Sequence, residues 1–113
     1  MRRLAGLSML ALWVSPALAA GASDFVLVNG TGASLAELSI RRSGTQDWKS
    51  LAAAPSPGAR SSLRFSDADC AFDIKATVAG VGPVVWNGVN LCAVKSVTLN
   101  RGDSEGAWVD YDR

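Results

Sequence analysis

Residues 70–92 read CAFDIKATVAGVGPVVWNGVNLC. Phe72, Ile74, Ala76 and Val78 fall on one parity, and Asp73, Lys75 and Thr77 on the other. A period of two puts successive side chains on opposite faces, the pattern of a half-buried strand. Gly80, Gly82 and Pro83 then punctuate the chain, placing a turn over Ala79–Pro83. Val84 to Val89 resumes as a second strand. Antiparallel pairing of the two brings the ends of the segment together, and those ends are the only cysteines in the chain, Cys70 and Cys92. In an exported protein such a pair reads as a disulfide. There is no C-x-x-C spacing to suggest a redox-active pair.

Export is indicated by the beginning of the chain. Met1-Arg2-Arg3 is basic, Leu4 to Val14 is apolar apart from Gly6 and Ser8, and small residues stand at Ala17 and Ala19. This three-part pattern predicts a secretory signal peptide over 1–19, cleaved after Ala19 or Ala20. The apolar run falls short of the ~20 residues of a membrane span. Arg2-Arg3 matches only part of a twin-arginine signal, so the export route stays open. The expected product is one domain, 20–113, in the periplasm or outside the cell. Loss of Arg2 and Arg3 from the 11 basic residues leaves nine against ten acidic ones. A nearly neutral domain has no electrostatic drive toward nucleic acid or anionic membrane.

Around the hairpin the chain keeps to strands. Asp24–Asn29 is one, ended by Asn29-Gly30-Thr31-Gly32. Ser34–Arg42 is the next, with Ala36, Leu38 and Ile40 on one face and Glu37, Ser39 and Arg41 on the other. Asp47–Leu51 reads either as a short edge strand or as a loop pinned by Trp48. Pro55 and Pro57 make 52–58 a connection. Ala59–Phe65 is a strand with Leu63 and Phe65 inward. Ala93–Asn100 is the last, with Val94 out of phase with Val97 and Leu99, which a bulge near Lys95 would repair. Residues 101–113 read as a loose tail from which Trp108 docks back on the sheet. No segment after cleavage sustains the helical period, so the expected fold is all-β: a small antiparallel β-sandwich of six or seven strands with one disulfide.

Several of these pieces together resemble a family of small exported bacterial proteins. They are DFVLVNGTG (24–32), Pro57-Gly58 before Leu63-Arg64-Phe65, CAFDIK (70–75), Trp86 and VNLCAV (89–94). The family signature is C-x-[YF]-D-I-[KR], then W, then [DN]-L-C. The resemblance implies the fold and the Cys70–Cys92 disulfide and carries over no functional residue. Asn90 stands where aspartate is common in that signature, and the connections around Gly44 and Pro55 are short.

The chain has no histidine. That removes Ser-His-Asp and Cys-His catalysis and His-ligated metal. The remaining candidates are carboxylates and tryptophans. Asp67 and Asp69 precede a strand, where loop oxygens gather a hard cation such as calcium or else simply shape a turn. Asp73 stands mid-strand, as a hydrogen-bond acceptor or as a partner for Lys75 or Arg64. Arg101-Gly102-Asp103 matches an adhesion tripeptide and reads as turn chemistry. Trp48 and Trp108, if exposed, offer a surface for a peptide or glycan, whereas Trp86 reads as core. No cofactor is expected. The function expected is a non-enzymatic binding or accessory module of the cell envelope with a protein, peptide or glycan partner. The alternative is a small carboxylate- or calcium-dependent enzyme using Asp67, Asp69 and Asp73.

Overall fold

The structure is a computed structural model and describes residues 21–113; the predicted signal peptide lies outside the described residues. Eight strands form two four-stranded sheets: β1 (Phe25–Asn29), β2 (Leu35–Arg42), β3 (Lys49–Ser50), β4 (Arg60–Leu63), β5 (Ala71–Val78), β6 (Gly82–Asn90), β7 (Ser96–Gly102) and β8 (Gly106–Asp112). One sheet has the order β4-β1-β7-β8 and the other β3-β2-β5-β6. All pairs are antiparallel except β1 with β7. This is the expected all-β sandwich, with eight strands in place of six or seven and one parallel pair in an otherwise antiparallel fold, and no described residue is helical. Both elements of doubt are strands. Lys49–Ser50 pairs with β2, and the chain beyond Arg101 is no loose tail, because β8 pairs with β7 along its whole length.

The inner faces supply one core. Phe25, Leu27, Leu63, Val97 and Leu99 come from the first sheet; Leu38, Ile40, Phe72, Ile74, Ala76, Val78, Trp86 and Val89 come from the second. Phe65 meets Phe25 and Phe72 edge to face, with ring centres 6.0 and 5.1 Å apart. Burying side chains of this size stabilises the fold by about 1.5–3 kcal/mol each.

Two bulges reset the alternation. In β2 the register against β5 shifts between Ala36 and Ser39, and Glu37 adopts φ 54°. Leu38 and Ile40 face the core as expected, but Ala36, across the bulge, is exposed, and Leu35 takes the inward place. In β6 the shift lies opposite Asp73, between the Val89 and Trp86 pairings. Gly88 carries it at φ 65°, a left-handed conformation that a side chain would resist. The bulge expected near Lys95 is absent. Val94 belongs to the turn before β7, where Ala93 holds φ 58°, and it reaches the core from there.

Cys70 and Cys92 are bonded, with an S–S distance of 2.02 Å. The bridge closes the open end of the β5–β6 hairpin, one residue before Ala71 on β5 and two after Asn90 on β6. It fits an oxidising environment. No helix among the described residues is long and apolar enough to cross a membrane.

The two long sides of the sandwich differ. On one side β6 meets β8, where the Tyr111 hydroxyl accepts the Asn90 N–H at 2.9 Å, and β6 also reaches β7, where the Trp86 indole donates to the Asn100 carbonyl at 2.8 Å. The opposite side ends in the two short strands β3 and β4, which no strand bridges.

Candidate functional site

On that open side lies a cleft of about 360 Å³. Ile40, Phe65 and Phe72 form an apolar floor, which is the edge of the core itself. Arg42, Thr45, Asp47, Lys49, Ser66 and Asp67 form a rim of both charges. The cleft arises because β3 is only two residues long and the chain after Leu63 leaves the sheet, which leaves Phe65 half-buried while Ile40 and Phe72 beneath it stay buried. Its size lies within the range of ligand-binding clefts.

The rim is organised by Arg42. Its Nη2 lies 3.0 Å from Asp67 Oδ1, and its Nε lies 3.1 Å from Asp69 Oδ2. Asp67 Oδ1 also accepts the Asp69 N–H at 2.9 Å. That hydrogen bond, followed by Arg42, holds the Asp67 carboxyl below its ordinary range. In return Asp67 raises the Arg42 guanidinium above its ordinary value. The turn is tied down from behind: Asp67 N–H donates to the Ala22 carbonyl and Ala22 N–H to the Asp69 carbonyl, both at 3.1 Å. Gly21 packs so closely there that a Cβ would collide with the Asp67 carbonyl. Asp67 and Asp69 therefore form a turn closed around the Arg42 guanidinium. Among the described residues no group of three or more acidic, cysteine or histidine side chains is placed to hold a metal.

Asp73 is elsewhere. It projects from β5 on the outer face of its sheet yet is only 4% exposed. Its partners are Arg41 Nε at 2.8 Å, the Ser43 hydroxyl at 2.8 Å and the Gly88 N–H at 3.0 Å. Neither Lys75 nor Arg64, the partners expected from sequence, makes this pair. Burial pushes the carboxyl upward, but the Gly88, Ser43 and Arg41 donors outweigh it and hold it below its ordinary range. The neighbours Arg41 and Arg42 point to opposite sides of β2, so Asp73 is separated from Asp67 and Asp69.

The tryptophans do not share a surface either. Trp48 lies on the outer face of the β3-β2-β5-β6 sheet, with the Arg41 guanidinium 4.4 Å and the Lys75 ammonium 4.3 Å from its ring centre. It pins the β2–β3 connection. Trp108 projects from β8 on the outer face of the other sheet, opposite Asn100, and is 42% exposed. Arg101 pairs with its own neighbour Asp103 at 3.6 Å, across the β7–β8 turn.

Asn29 escaped the sequence reading, which treats it as a turn residue. It is fully buried. Its amide donates to the Ala33 and Pro55 carbonyls at 2.8 and 3.1 Å, and its carbonyl accepts from the Thr31 N–H and hydroxyl at 3.1 and 2.7 Å. It ties the β1–β2 turn to the proline connection. The cleft escaped as well, since alternation marks Phe65 as inward without indicating that it is only half covered.

No protein-family model, curated protein or solved structure matches the chain. The class it belongs to is set by its architecture: a disulfide-bonded, eight-stranded β-sandwich, closed along one side and open along the other.

Proposed function

We propose that this protein is a non-enzymatic binding module of the bacterial cell envelope, periplasmic or secreted, that takes an extended peptide in the open-side cleft. The observation that carries the reading is the cleft itself: half-buried Phe65, backed by Ile40 and Phe72 of the core, under an ionic rim beside the edge of β3. An apolar side chain suits the floor, and main-chain groups of an extended segment suit a strand edge. A glycan is less well served, because the Trp48 ring already carries two cations. Export is supported by the disulfide, by the basic, apolar and small-residue order of 1–20, and by the resemblance to an exported family. The carboxylate- or calcium-dependent enzyme finds little support, since Asp67 and Asp69 are paired with Arg42 and Asp73 with Arg41.

The test is capture from an envelope extract by the purified, oxidised protein, read by mass spectrometry. Ser66→Trp places a large side chain in the cleft, at an exposed residue. The expected result is a partner that is lost with Ser66→Trp and kept with Trp108→Ala. A partner indifferent to Ser66→Trp would remove the cleft from the account, and one lost only with Trp108→Ala would move the site to the opposite sheet.

A further inference from the structure

The outer face of the β4-β1-β7-β8 sheet is divided by charge. The registers lay its residues in rows across the strands. One row runs Arg60, Val28, Thr98, Asp110, and the next runs Ser62, Val26, Ser96, Asp112. Arg64 extends the basic end, lining a shallow groove with Val26, Ser62 and Lys95. Among the described residues none of Arg60, Arg64, Lys95, Asp110 and Asp112 makes an ion pair. Asp24 lies in the basic half, accepting the Phe65 N–H. Asp110 accepts the Asn100 amide at 2.9 Å. Beyond Asp112, Arg113 lies over the Tyr111 ring rather than against a carboxylate. Between the two charged edges run half-buried Val26 and Val28, with Trp108 exposed in the row after Asp110.

The geometry points to a second copy of this chain as the occupant of this face, packed sheet on sheet about a two-fold axis parallel to the strands. Adjacent strands lie about 4.8 Å apart, so the basic and acidic edges are about 14 Å apart. A two-fold axis along the strands sets β4 of one copy over β8 of the other, and the reverse, while keeping each row opposite its own equivalent. Arg60 of each copy then faces Asp110 of the other, and Arg64 lies toward Asp112. A two-fold axis across the strands would instead set β4 over β4 and β8 over β8, like charge on like, which is costly. The charge pattern therefore selects one symmetric arrangement. Val26 and Val28 supply the apolar centre that packed sheets need, and Trp108 adds apolar area at the β8 edge. The face offers roughly 450 Å² per copy by strand spacing and rise, against about 800 Å² per partner in a standard interface. The dimer is accordingly weak, reversible and salt-sensitive. It does not depend on the cleft and leaves the open side free.

Sedimentation equilibrium of the oxidised protein, up to about 1 mM, is the test suited to a small interface. The wild type should approach a dimer at low salt and lose about tenfold in association on addition of ~0.5 M salt. Arg60→Glu and Asp110→Arg should each be monomeric. Their equimolar mixture, and the Arg60→Glu/Asp110→Arg double variant, should dimerise again, because opposite charges face each other once more. All are exposed positions, and unchanged melting curves confirm the fold. A wild type that stays monomeric, assembly beyond the dimer, or single variants that associate as well as the wild type would each overturn the proposal. So would a mixture that fails to recover.

Discussion

Asp73 shows how far a single side chain departs from what its parity implies. It lies on the outer face of β5 and is nevertheless buried, because Arg41, Ser43 and the Gly88 bulge close over it. Its carboxyl titrates below its ordinary value of 3.8 in the folded protein. A carboxyl of that kind stabilises the fold at pH above the unfolded value, and the contribution is lost as pH falls through the folded one. Urea midpoints measured downward from neutral pH should therefore fall below about pH 4 in the wild type. Asp73→Asn should be less stable by about 1–3 kcal/mol at neutral pH, since it leaves Arg41 partly buried without its partner. Its acid limb should be shallower. An Asp73→Asn protein as stable as the wild type at pH 7 would remove Asp73 from the structural account. The mid-strand carboxylate was legible in the sequence as a structural acceptor. Its partner was not, because Arg41 lies on the neighbouring strand and only the β2–β5 register brings the two together.

At the scale of the element, the β5–β6 hairpin carries the disulfide and one bulge. Cross-linking residues 22 apart should contribute about 3 kcal/mol through the unfolded chain. Cys70→Ser/Cys92→Ser should lose roughly that amount in chemical denaturation, and intact-mass analysis of the unreduced wild type should find no alkylatable thiol. The turn into β7 makes a prediction of opposite sign. Ala93 holds a left-handed φ, which costs an alanine about 1 kcal/mol relative to glycine, so Ala93→Gly should raise stability by up to about that much. A loss of stability would mean that the turn is held by other contacts. Hairpin and cysteine pairing were readable because alternation and turn residues act locally. The bulges at Glu37 and Asn87–Gly88 were not, because an inserted residue is defined only against a partner strand.

For the whole molecule, the contrast between the two long sides should appear in hydrogen exchange. Amides of β1, β5 and β7, each paired on both sides, should exchange slowest, whereas β3 and β4 should open first. A strand edge that can open beside an apolar cleft is one that a ligand strand can join. Equal protection of β3 and β5 would contradict the open-sided description. Strand content, the class of fold, the disulfide and the structural nature of Trp86 all follow from composition and period, which are properties of neighbouring residues. The β1–β7 parallel pairing, the conversion of residues 106–112 from apparent tail to edge strand, the cleft over Phe65 and Phe72, and the separation of Trp48 from Trp108 depend on which strands meet. That choice is made by burial summed over both sheets, and no local stretch of this chain records it.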